Sequence, residues 1–182
     1  MKPNIICAAL VGILLSVTSY LRAADTVGET NAAASKRIGV YDSRAVAFAW
    51  FWTPNHQTNL NQQMEQAKAA KLAGETNIFK QLAKNLADEQ SKMHHEVFGT
   101  EPAVEAMKSL EPRLPEIQRR AGVVTLVSKW DAETLKKNET AQHIDVTDLL
   151  VSEFHPTAEQ LKTIAEIKKQ KPVPVEKIKD AD

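Results

Sequence analysis

Apolar positions along the chain come in two kinds: short continuous runs and thin, helically spaced stripes. Ile38 to Tyr41 is a short β-rich run and predicts a strand. "RAVAFAWFW" (44–52) has the alanine spacing of a helix, which Pro54 interrupts. From His56 the composition turns to Gln, Asn, Lys and Ala, and Leu60, Met64 and Ala67 form a stripe spaced by four and three. Gly74 reads as a terminator and Thr76 as the N-cap of the next helix. Phe79, Leu82, Leu86, Met93 and Val97 then make a second narrow seam. Two thin-seamed helices around a glycine turn predict a protruding antiparallel hairpin, an arm over about residues 55–98 reaching roughly 30 Å.

Beyond the arm, Gly99 closes the second helix. Pro102 opens a short helix carrying Val104, Met107 and Leu110, while Pro112 and Pro115 break the path before a further helix ending at Gly122. "VVTLVSKW" (123–130) is the best strand candidate in the chain: its apolar residues are nearly continuous, which predicts a central strand covered on both faces. A polar loop, "DAETLKKNETAQ", leads to a short strand at His143 to Asp145 and a helix to Phe154, capped by Asp145 or Thr147. Thr157 and Gln160 form a capping-box pair for a last helix with the seam Leu161, Ile164 and Ile167, and "KPVPVEK" is an extended tail. The expected class is α+β, mainly helical: a small β-sheet body, the helical hairpin and C-terminal helices.

The first residues carry a different signal. Lys2, an apolar run from Ile5 to Val17 and then "TSYLRA" follow the pattern of a secretory signal over residues 1–23. The run is too short for the ~20 apolar residues of a membrane-spanning helix, so no stable span is expected after cleavage, with an uncleaved anchor as the alternative. Residues 24–36 read as a flexible polar leader, 37–170 as a single domain and 171–182 as the tail. Removing residues 1–23 takes Lys2 and Arg22 and leaves 21 basic residues against 23 acidic ones, a balance with no electrostatic footprint for nucleic acid. The chain's one cysteine, Cys7, lies in the removed segment, so the mature protein has no disulfide and depends on packing or oligomerisation. A periplasmic location fits this usage.

Strand, helical hairpin, strand and C-terminal helix, with "RIGVYDSRAVAF" (37–48) and "AGVVTLVSKW…HIDVTDLLVSEF" (121–154) at the matching places, resemble the OmpH/Skp family of periplasmic chaperones. The resemblance implies a short-armed, neutral variant of that family. It further implies a trimer with a β-body built by three subunits and helical arms around a cavity for unfolded outer-membrane proteins.

Three clusters are candidates for chemistry. Asp42, Ser43 and Arg44 sit where a strand turns into a helix. Such a corner wants a short capping acceptor, so Asp42 or Ser43 is expected to cap and Arg44 to pair with an acid, rather than to catalyse. His94, His95 and Glu96 lack the i, i+4 ligand spacing of a helical zinc site and read as a solvated helix end, so no metal is expected. Trp50, Phe51 and Trp52 cover about 200° of a helix, more than one core can take, and are candidates for a subunit interface or client contact, with a junction packed within the monomer as the alternative. No nucleophile–base pair, phosphate loop or CxxC is visible, and neither a catalytic residue nor a cofactor is expected. The expected function is a non-enzymatic, exported, chaperone-like binding protein that associates with itself. The alternatives are an envelope-associated adaptor that keeps the fold without the holdase role, and a secreted enzyme.

Overall fold

The structure, a computed structural model, describes residues 36–178. The expected signal segment (1–23) and nearly all of the leader (24–36) lie outside these residues. The described chain is mainly helical with a small three-stranded sheet. In order, the elements are β1 (Arg37–Tyr41), α1 (Ser43–Phe51), α2 (Pro54–Leu72), α3 (Thr76–Phe98), α4 (Val104–Leu110), a 3-10 turn (Glu111–Arg113) and α5 (Leu114–Ala121). They are followed by β2 (Leu126–Ser128), α6 (Ala132–Lys137), β3 (Gln142–Asp145), α7 (Thr147–Ser152) and α8 (Ala158–Lys169).

The sheet order is β2-β1-β3, and both pairings are parallel. Gly39 faces Leu126 on one side and Ile144 on the other. A Cβ there would lie 2.7 Å from Leu126 Cδ2 and 3.0 Å from Val146 Cγ2, so only glycine lets the strands and the start of α7 close up.

Two expectations are corrected here. The central strand is β1, and the apolar run at 123–130 supplies only an edge strand of three residues. Val123 and Val127 are buried, but Val124 is 64% exposed, although its N–H already donates to Arg37 O of β1 at 3.0 Å. The apolar run here therefore belongs to an edge strand with one face exposed, not to a strand covered on both faces. The polar stretch after Trp130 is not all loop either: Asp131 accepts from Thr134 N at 2.9 Å and starts α6.

The hub of the molecule is α1. Eight of its nine residues are buried, and it packs against α2, α3, α4, α7 and α8. Ala45, Ala47 and Ala49 let those helices approach closely, while Val46, Phe48 and Phe51 fill the gaps between them. A helix that is apolar all round belongs in a core, and this one sits there.

The long helices α2 and α3 differ from α1. Joined by residues 73–75, they pack on each other, yet α2 buries only Ala67 and Ala70, and α3 buries only Glu96 and Val97 at its end. Gly74 takes a positive φ of 73° in the connection. The N-cap of α3 is Glu75 rather than Thr76, and it has no side-chain capping bond, since the Thr76 hydroxyl donates back to Gly74 O. At the far end of the chain, the capping box of Thr157 and Gln160 is formed and starts α8.

Candidate functional site

The corner after β1 is densely bonded. Asp42 ends the central strand, and its carboxylate caps α1 by accepting from Arg44 N at 3.1 Å. The same carboxylate takes Arg44 Nε at 3.1 Å and Nη2 at 3.0 Å in a fork-to-fork pair. Lys129 Nζ reaches Asp42 Oδ2 at 2.5 Å and Trp130 Nε1 donates to Oδ1 at 3.4 Å, both from the end of β2. Asp42 N donates to Thr147 Oγ1 at the start of α7, so residues beyond all three strand ends converge here. The Trp130 ring packs under both cations, 4.9 Å from Arg44 Cζ and 4.6 Å from Lys129 Nζ.

The carboxyl ends of parallel strands are where α/β sheets bind ligands. Here, however, the charged groups are already matched to each other. Burial pushes the Asp42 carboxyl up, but the bonds and charges of Arg44 and Lys129 outweigh it and hold it below the usual carboxylate range. The remaining arm of Arg44, Nη1, donates to Gln170 O at 3.0 Å and ties the end of α8 to the corner. Ser43 is buried and donates to Glu101 O at 3.3 Å. Sequence reading gives Arg44 an unnamed acidic partner, which is Asp42 two residues away. Lys129, Trp130 and Thr147 escape it, because nothing in the sequence fixes the register that brings them here.

The three adjacent aromatics part company. Phe51 is fully buried and spent on the core. Trp50 is half-buried between His56, 4.5 Å between ring centres, and Lys92, whose Nζ lies 5.9 Å from its ring. Trp52 is 36% exposed and stacks on Phe48 at 4.5 Å.

Two apolar hollows flank the second half of α3, and this triplet feeds both. The first, about 310 Å³, lies between α2 and α3 and is walled by Phe51, Leu60, Met64, Leu86 and Met93. His56 and Glu89 bridge its mouth at 3.5 Å. Burial holds the His56 imidazole below its ordinary value, against the pull of Glu89. The second hollow, about 300 Å³, lies between α1, α3 and α8 and is walled by Phe48, Trp52, Met93, Val97, Phe98 and Ile167. Met93 reaches both. Met64, Phe98 and Trp52 stand at the rims, between 36% and 53% exposed.

The histidine pair on α3 does not converge on a metal. His94 packs against Phe98, and His95 Nδ1 lies 3.0 Å from Glu101 Oε1. Among the described residues no group of three His, Cys, Asp or Glu side chains is placed to hold a metal ion. The expected solvated helix end is corrected at Glu96, which is only 2% exposed. The signal was present, since Leu86, Met93 and Glu96 step by seven and three along one side of α3, but the charge concealed it. Among the described residues, no helix is long and apolar enough to cross a membrane. No family model, curated protein or solved structure matches the chain.

Proposed function

We propose that this chain is an exported, non-enzymatic binding protein of OmpH/Skp-like form that holds unfolded envelope proteins through the helices α2 and α3. In this reading α2 and α3 are a short antiparallel hairpin arm, and α7 and α8 brace its root. The observation that carries it is the pair of apolar hollows on either side of α3, with Met64, Phe98 and Trp52 left at their rims. An unfolded segment offers scattered apolar side chains, not one shaped ligand. Shallow pockets lined by methionine and aromatic side chains accept such variety, because methionine repacks at low cost. Little on these helices is used up by the protein's own core.

Self-association belongs to the same reading. The three-stranded sheet has an open edge on β2 and another on β3, and β3 is largely exposed. Open edges invite pairing, and three copies would each offer one of either kind. The charge cluster at Asp42 serves the fold here, tying the strand ends to α1, α7 and α8.

The test is suppression of aggregation. An outer-membrane β-barrel protein is diluted from urea with and without residues 24–182, and light scattering is followed. Suppression by the wild type, lost in Leu60→Asp/Met64→Asp with helix content retained, supports the reading. Equal scattering with and without the wild type at several-fold excess refutes it.

A further inference from the structure

One ionisable group lies buried without the partners that burial demands. Glu96 sits in the last turn of α3, where that helix packs on α1, and is 2% exposed. Its Oε2 has no hydrogen-bond partner among the described residues. An ionised carboxylate in that position is strongly penalised, whereas a neutral acid is tolerated.

The surroundings make ionisation harder still. Glu89 lies two turns back on α3, Glu101 in the connection to α4, and Glu105 on α4, all acting on Glu96. Lys92, four residues before it, is the counter-charge, but it lies 4.0 Å from Glu105 and is shared. Glu101 is engaged by His95, and Glu89 by His56 of α2. From α1 the charged side chain is Arg44, already held by Asp42. From α8, Glu166 pairs with Lys169, and the tail contributes Lys171, Glu176 and Lys177, with Val173 N bonded to Phe98 O at 2.7 Å.

We propose that Glu96 is a protonation latch for the root of α3. With its proton on, the acid lets α3 seat against α1 and α4. With the proton lost as the medium turns alkaline, the root loosens, and with it the wall shared by the two apolar hollows. Burial, followed by the net push of the neighbouring carboxylates against Lys92, raises this carboxyl to about 7, which places the change near neutrality. The latch is a property of the fold and does not depend on what the hollows bind.

The sign follows from linkage. A carboxyl raised in the folded state binds its proton more tightly there than in the unfolded chain. Its contribution to stability is therefore full below about pH 4.5, declines as pH rises towards 7, and is gone above it. Between pH 5.5 and 8.5 the folding equilibrium should weaken about 30-fold through this group alone.

Residues 24–182 and their Glu96→Gln variant are unfolded in urea at both pH values, and the Glu96 carboxyl is titrated by carbon NMR in the wild type. The latch predicts a wild-type loss that exceeds the variant's by about 30-fold, and a carboxyl titrating near neutrality. It also predicts amide exchange at residues 93–98 that accelerates with pH more than at 161–167, after correction for intrinsic rates. Identical pH profiles in the two proteins, a carboxyl titrating near 4.5, or equal acceleration in both segments would overturn it. Should the glutamine variant fail to fold, the NMR titration and the exchange of the wild type decide alone.

Discussion

Replacing Asp42 by alanine should be among the most damaging single changes in the protein. The carboxylate performs two separable tasks. As N-cap of α1 it accepts from Arg44 N, a role whose loss costs about 1 kcal/mol. As counter-ion it neutralises a guanidinium that is 2% exposed, and removing it leaves Arg44 buried with Gln170 O as its remaining acceptor. Stranding a buried charge costs about 3–5 kcal/mol. Lys129 contributes little to the loss, since it is about a third exposed and can turn to solvent. The expected total is about 4–6 kcal/mol, a large share of the 5–15 kcal/mol that holds a domain folded. Asp42→Asn keeps a capping oxygen, so it should spare about 1 kcal/mol of the loss and no more. Adding Arg44→Met to Asp42→Asn should then recover stability, because the buried charge goes with its partner. The assay is urea unfolding at pH 7, followed by tryptophan fluorescence, to which Trp130 at this corner contributes. A cost for Asp42→Ala below about 1 kcal/mol would refute the reasoning, as would a double variant no better than Asp42→Asn.

Acid should expose the same corner from another direction. Asp42 and Asp145 are both held below their ordinary values, so their contribution is present above about pH 3.8 and is lost as pH falls through the folded values, which an acid titration by circular dichroism would register. Gly39→Ala should cost about 1–3 kcal/mol in urea unfolding, since the new methyl meets both Leu126 and the stiff Val146. Gly122→Ala should cost about 1 kcal/mol by the same measurement, because the residue holds φ at 64° and its Cβ would press on Arg37. Trp52→Ala should lower the sedimentation mass or client capture while leaving helix content intact, because its ring lies at the rim of a hollow and not within the core.

Much of the element order could be read from local pattern. Ile38 to Tyr41, the stripes on α2 and α3, the capping box at Thr157 and the terminating Gly122 all announce themselves through neighbours in sequence. What could not be read depends on partners far away in the chain. The strand at 126–128 is an edge because β1 and not β2 lies between two neighbours, a fact of topology that no run of valines encodes. Asp42 is legible as a cap, but its bonds to Lys129 and Trp130 span 87 and 88 positions. Glu96 misleads for the opposite reason: a charged residue on an apolar seam is usually a solvated edge, and it is the packing of α3 on α1 that removes the water.

The central claim, that unfolded chains lie in the hollows beside α3, can be tested by site-specific photo-crosslinking. A benzophenone is placed at position 64, at the rim of the first hollow, or at position 139, in the connection between α6 and β3. Each protein is then irradiated with an outer-membrane β-barrel protein freshly diluted from urea. The account predicts adducts from position 64 and none above background from position 139. Equal yields from the two positions, or adducts from 139 alone, would contradict it.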